Sequence, residues 1–207
     1  ILFDYGDTLL CEPELSFLRG EKALFQYITK NRDNLTPEEV SAFADKLFAE
    51  ISHVRKIGMD LHERQFQRML YEYLGIEFSI SYEEAELILW RNATEGAIMP
   101  DADQIIDYIN SKGIRSGVIS NIGWSGNALS ERFDRLLPNH RFEFIIASSE
   151  YGFRKPNPYL FELALRKAEL PPEAVWFCGD NPQADIEGSA RAGIFPVWYD
   201  NDSGPVH

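Results

Sequence analysis

The sequence predicts an α/β fold: a doubly wound parallel sheet interrupted by an inserted helical domain. Three observations carry this. From Pro100 onward, short continuous apolar runs alternate with helical patterns, as in a parallel sheet covered on both faces. A further apolar run, Ile1-Leu2-Phe3, stands alone at the start of the chain. The stretch between them reads as helix after helix, with no strand pattern.

The first run leads into Asp4 and a Gly6-Asp7-Thr8 turn, which puts a carboxylate at a strand tip. From Glu14 to Lys30, residues Phe17, Leu18, Leu24, Phe25 and Ile28 have helical spacing. Thr36-Pro37-Glu38-Glu39 is a capping box with proline at the first helical position, followed by the stripe Val40, Phe43, Ala44, Leu47, Ile51 and Val54. Asp60-x-x-Glu63 opens a third helix by the same logic, and Gly75 stands where a C-terminal cap belongs. Ser81-x-x-Glu84 opens a fourth. The expected division is an α/β core of residues 1–12 and 96–207 with a helical bundle over 13–95.

In the second half the spacing predicts helices over Ala102–Lys112, Gly126–Leu137, Pro158–Ala168 and Ile186–Ala192. Strands are expected over Ser116–Ser120, Phe144–Ala147, Ala174–Cys178 and Phe195–Tyr199. The tail Asn201–His207 reads as loose, and the opening inside a strand implies residues upstream of Ile1.

Composition narrows the function classes. A formal net charge of -13 argues against a nucleic-acid surface, and it means an anionic substrate must meet a local positive site. No apolar run is long enough for a membrane span, and no signal peptide is visible. Two cysteines, Cys11 and Cys178, give no disulfide framework and fit a reducing cytoplasm. His53, His62, His140 and His207 lack ligand spacing. Trp90, Trp124, Trp176 and Trp198 read as packing, with Trp124 of interest because it closely follows Ser120-Asn121.

Parallel strands share one C-terminal edge, where open α/β sheets bind ligands. The strands end at Asp4, at Ser120-Asn121, before Tyr151-Gly152-Phe153-Arg154-Lys155-Pro156, and at Gly179-Asp180 with Asp185 five residues on. Asp4, Ser120, Lys155, Asp180 and Asp185 should therefore meet in one crevice. Asp4 and Asp180 can offer carboxylate oxygens to Mg²⁺, while Ser120 and Lys155 can donate to phosphate oxygens. A carboxylate held there, with metal and lysine cancelling its repulsion, can attack phosphorus and form an aspartyl phosphate. The Thr8 hydroxyl and the Tyr5–Thr8 amides can orient Asp4 or bind phosphate, and Asn121 is a further phosphate-binding candidate or a turn residue.

The ordered set ILFDYGDTL, VISN, GFRKPNPYLF and GDNPQADIEGSARAG resembles the four motifs of the haloacid dehalogenase-like hydrolases. The helical block sits where that superfamily inserts its C1 cap. The resemblance implies a nucleophile at Asp4, phosphate binding by Ser120 and Lys155, and Mg²⁺ held by Asp4, the Gly6 carbonyl and Asp180. Asp185 would be an outer partner of the metal or of Lys155. It also implies a mobile cap that excludes water and selects a small phosphorylated substrate. The first motif departs from the pattern. The family's phosphatases usually have Asp-x-Asp-Gly-Thr, whereas this chain has Asp4-Tyr5-Gly6-Asp7-Thr8, so glycine stands where the general acid/base belongs. Three readings follow. The first is a phosphatase in which Asp7 or a cap residue serves the leaving oxygen. The second is a different reaction, either a phosphonate hydrolase needing a cap lysine (Lys22, Lys30, Lys46 or Lys56) or a dehalogenase. The third is a non-catalytic phosphate-binding protein.

Overall fold

The computed structural model describes residues 1–200, so the tail Asn201–His207 lies outside the described residues. The first half of the chain holds β1 (Leu2–Phe3), β2 (Leu10–Cys11), α1 (Phe17–Leu24), β3 (Ile28–Asn31), α2 (Pro37–Ile51), α3 (Glu63–Leu74), β4 (Ile76–Phe78), α4 (Tyr82–Ala93) and β5 (Ala97–Ile98). The second half holds α5 (Ala102–Ser111), β6 (Ser116–Ser120), α6 (Gly126–Leu136), β7 (Phe142–Ala147), α7 (Ser148–Tyr151), α8 (Pro158–Ala168), β8 (Trp176–Gly179), α9 (Gly188–Arg191) and β9 (Phe195–Trp198).

Five strands form one parallel sheet in the order β7-β6-β1-β8-β9. The chain moves outward from β1 to β6 and β7, then crosses back to β8 and β9. The order therefore reverses beside β1, and the crevice of a doubly wound sheet opens at that reversal. Leu2 pairs with Gly117 and Phe177, and Phe3 pairs with Val118 and Cys178. Alternation sends Phe3 and Val118 into one apolar core, with α5 and α6, while Leu2, Ile119 and Phe177 enter a second core under α8.

Both expected capping boxes form, with Thr36 and Ser81 accepting from the amides of Glu39 and Glu84. Gly75 ends α3 in the left-handed region at φ 67°. The 13–95 stretch is not purely helical, however. After α1 and a short 3-10 turn, Ile28–Asn31 forms β3, which pairs antiparallel with β4. Both strands are short and half-exposed, so no apolar run marks them. The cap of α3 is His62, whose Nδ1 accepts from Arg64 N, and Asp60 is freed for other contacts. Near the end of the chain, the helix expected over Ile186–Ala192 starts earlier, as a π-helical turn over Pro182–Glu187 leading into α9.

The ends of the helical block meet in the β2–β5 ribbon, where Leu10 faces Ile98 and Cys11 faces Ala97. The block is also fastened to the core along a seam. Met59 bridges Phe153, Asp60 N donates to Gly152 O at 3.1 Å, and Arg154 N donates to Gly58 O at 2.9 Å. Buried Glu86 accepts from Ser125 N and Oγ, both at 2.7 Å. Trp124 stacks on Trp90 at 4.8 Å and on Phe17 at 6.3 Å, which makes it a packing residue of the seam. Among the described residues no helix is long and apolar enough to cross a membrane.

Candidate active site

The strand tips deliver the site. Asp4 N makes the last sheet bond to Cys178 O, at 2.8 Å, which fixes the carboxylate one residue past β1. Lys155 follows α7 on the loop after β7, and its Nζ lies 2.6 Å from both Asp4 Oδ1 and Asp185 Oδ1. Asp4, Asp180 and Asp185 each offer a carboxylate oxygen within 4.8 Å of the others. Ser120, Asn121 and Gly6 join them in the wall of a cleft of about 480 Å³.

Lys155 is 4% exposed, so its charge needs support from its surroundings. Burial opposes the ammonium, but the Asp4 and Asp185 carboxylates outweigh it and hold Lys155 above its usual range. The Phe177 ring lies 4.9 Å from Nζ and adds a cation–π contact. Burial likewise pushes Asp4 up to about 6, with Lys155 opposing and Asp185 reinforcing the shift. Asp180 is raised by burial and then by Asp185. The Cys178 thiol is pushed up to about 11 by burial and by the same acids.

The supporting residues explain the local sequence. Asn181 precedes Pro182 and accepts from Gln183 N and Ala184 N, starting the π turn that carries Asp185. Asp185 Oδ2 accepts from Asn181 N at 3.1 Å. A Cβ on Gly179 would overlap the Asp185 carboxylate, so glycine is what lets Asp185 lie against β8. Asn121, expected among the phosphate donors, turns its amide onto Lys155 instead. Its Oδ1 accepts from Lys155 N at 2.7 Å, and its Nδ2 donates to Lys155 O at 2.9 Å. Thr8 is buried outside the cleft wall, and its hydroxyl has no hydrogen-bond partner among the described residues.

In the first motif, Asp7 occupies the left-handed region at φ 54°, where the family pattern has glycine. Gly6 does not need that freedom, and a Cβ there would meet nothing within 4 Å. Asp7 lines the cleft but is exposed.

Every residue lining the cleft comes from 1–12 or 96–200. The helical block reaches the cleft indirectly, through two wall residues that the sequence reading did not single out. Glu12 Oε1 accepts from Trp90 Nε1 at 2.8 Å and from Tyr5 Oη at 3.0 Å, with Arg132 Nη1 at 3.4 Å. Arg154 Nη1 donates to Asp60 Oδ2 at 2.6 Å. Arg154 could have been noticed as the cation beside Lys155, but Glu12 carries no local signal. The four lysines considered for a different reaction do not line the cleft, and Lys22 and Lys30 pair with Glu38 and Glu77 at the surface.

The chain is 27% identical to a glyceraldehyde 3-phosphate phosphatase of Methanopyrus kandleri over 95% of its length and 82% of that protein. It is 29% identical to the enzyme of the same name from Methanothermobacter thermautotrophicus, over 98% of this chain and 85% of that one. The crystal structure of a 2-haloacid dehalogenase from Pseudomonas syringae superposes with a TM-score of 0.61 at 23% identity, covering 100% of this chain and 87% of the other. That likeness speaks to the fold. The model of the haloacid dehalogenase-like hydrolase family matches residues 1–193, and the chain belongs to that family.

Proposed function

We propose that the protein hydrolyses a small phosphate monoester through a covalent phosphate on Asp4. The observation that carries the reading is the Lys155 ammonium set 2.6 Å from both Asp4 and Asp185 at a strand tip. The relatives named for glyceraldehyde 3-phosphate phosphatase activity support the same substrate class. In this reading an Asp4 oxygen attacks phosphorus as the ester P–O bond breaks, and the alcohol oxygen leaves with the bonding pair. Lys155 orients Asp4 and offsets charge on the phosphate, and the Ser120 hydroxyl donates to a phosphate oxygen. Asn121 holds the Lys155 backbone in place. With glycine at position 6, the proton for the leaving oxygen comes from water. A second water then attacks phosphorus, releases inorganic phosphate and regenerates the carboxylate.

The residues present fit Mg²⁺. Three carboxylates against one ammonium leave a formal excess of negative charge that would repel a phosphate, and hard oxygen donors suit this ion. Asp4, Asp180, Asp185 and the Gly6 carbonyl would hold it, and when bound it supplies charge neutralisation for the phosphoryl group. Residues 13–95 would act as the cap. Two free cysteines support a cytoplasmic setting. The test is Mg²⁺-dependent release of p-nitrophenol from its phosphate ester, abolished by Asp4→Asn. Turnover that survives that change, or no turnover of any phosphate ester with Mg²⁺ present, would overturn the reading.

A further inference from the structure

Asp4, Ser120, Lys155, Asp180 and Asp185, all in the cleft wall, are taken up by the phosphate chemistry proposed above. Arg154 lines the same cleft and belongs to none of these duties. It is part of a charge cluster at the seam. The Asp60 carboxylate is wholly buried and lies 3.2 Å from Arg55 Nε and 2.6 Å from Arg154 Nη1. It also accepts from Ser148 Oγ and, at 3.0 Å, from Leu61 N. Two guanidiniums share one carboxylate, so the cluster has a formal charge of +1 in a chain whose total is -13. Arg154 commits one nitrogen to Asp60, and its Nε and Nη2 make no hydrogen bond among the described residues. Its side chain is 20% exposed and its backbone is pinned to Gly58 O. A guanidinium fixed in this way, with a donor edge unspent, is a ready partner for a carboxylate or phosphate. Glu12, the acidic wall residue nearby in sequence to Asp4, does not cancel it, because Trp90, Tyr5 and Arg132 already hold that carboxylate.

We propose that Arg154 is an anion subsite for the leaving group, so that the preferred substrate carries a second negative group on the alcohol portion. This rests on the phosphatase reading and adds its substrate class: phosphate esters of small hydroxy acids, or bisphosphates. Asp60 is the positioning residue, and through it the cap sets specificity without touching the cleft.

The experiment compares kcat/KM for three esters of matched length: phosphoglycolate, ethyl phosphate and ethane-1,2-diol bisphosphate. p-Nitrophenyl phosphate is the reference. One or both of the doubly anionic esters should exceed ethyl phosphate by roughly tenfold to a hundredfold, the range of a charge-assisted contact. Whichever does identifies carboxylate or phosphate as the second group. Arg154→Gln should erase that ratio mainly through KM, and Arg154→Lys should restore part of it. Asp60→Asn keeps both guanidiniums but releases Arg154 from its anchor, so the preference for the doubly anionic ester should shrink without vanishing. No preference in the unaltered protein, or a preference that survives Arg154→Gln, overturns the proposal. Equal losses on all esters in Arg154→Gln and Asp60→Asn would also overturn it, since they would mark a purely structural latch. If p-nitrophenyl phosphate itself is not turned over, it is the phosphatase reading that fails.

Discussion

Two groups of acids are withdrawn from solvent in this chain, and their surroundings differ in one respect. At the tip of β1, Asp4 and Asp185 share the Lys155 ammonium, and Asp180 stands beside them. Inside the helical block, Glu21 and Glu63 line a small cavity of about 80 Å³ with Gln67, Phe66 and Leu70. No lysine or arginine is among the residues lining that cavity. Glu21 accepts from Tyr71 Oη at 2.9 and 3.0 Å, and Glu63 Oε1 accepts from Gln67 Nε2 at 3.4 Å. Burial raises Asp4 to about 6 and Glu21 and Glu63 to about 7. The difference is the fixed cation. Where a lysine is built into the cluster, its charge opposes the rise of the Asp4 carboxyl. At Glu21, where only the Tyr71 hydroxyl opposes burial, the acid gains by taking up a proton.

The comparison can be broken most directly at Asp4. Asp4→Asn should lower kcat on an activated aryl phosphate by on the order of 10⁴ while leaving the fold intact by circular dichroism. A modest loss would remove Asp4 from the nucleophile role. Lys155→Met attacks the cation itself. Activity should fall by about 10³. The melting temperature should also drop in chelator and recover with Mg²⁺, because the acids would be left without their counter-charge. A protein unchanged in stability would mean that Lys155 is not what supports these carboxylates.

Gly6→Asp sharpens the contrast from the other side. There is room at position 6, since a Cβ there meets nothing within 4 Å. An added carboxyl should speed hydrolysis of an alkyl phosphate by roughly 10², the low end of general acid catalysis. It should do little for p-nitrophenyl phosphate, whose leaving group needs no proton. Equal effects on the two esters would argue against a missing proton donor.

The smallest effect concerns the block. The folded Glu21 carboxyl is raised to about 7 from an ordinary 4.5, so folding takes up a proton between these values. Its contribution is fully present below about 4.5 and is lost as pH rises toward 7. Glu21→Gln should therefore stabilise the protein at pH 8 by on the order of 2 kcal/mol and flatten the stability profile above pH 4.5. Thermal melts across that range would show it, and a destabilised variant at pH 8 would contradict it.

The strand tips were readable because each couples an apolar run to a polar break: Phe3 to Asp4, Ile119 to Ser120, Gly179 to Asp180. The Lys155 contacts were readable only as membership of one crevice. That a single nitrogen touches both Asp4 and Asp185 depends on the turn begun by Asn181 and the gap left by Gly179. Asp60 shows why the rest was hidden. As Asp60-x-x-Glu63 it looked like a helix cap, but His62 takes that place and Asp60 spends its carboxylate across a seam between distant segments. The β3–β4 pair escaped for a related reason: Ile28–Asn31 is too short and too exposed to show a strand period.

The β2–β5 ribbon has a consequence for how such a molecule can change. It brings Cys11 against Ala97, so the sheet meets residues 12–96 as one loop closed at a fixed point. Closure cost grows only with the logarithm of loop length, and the ribbon settles it locally. The junction is thus a splice point, open to any module whose two ends leave side by side. The scaffold asks of that module two zipped strands and a seam that fits along the core. Two of its side chains reach back to residues of the cleft wall, Asp60 to Arg154 and Trp90 to Glu12.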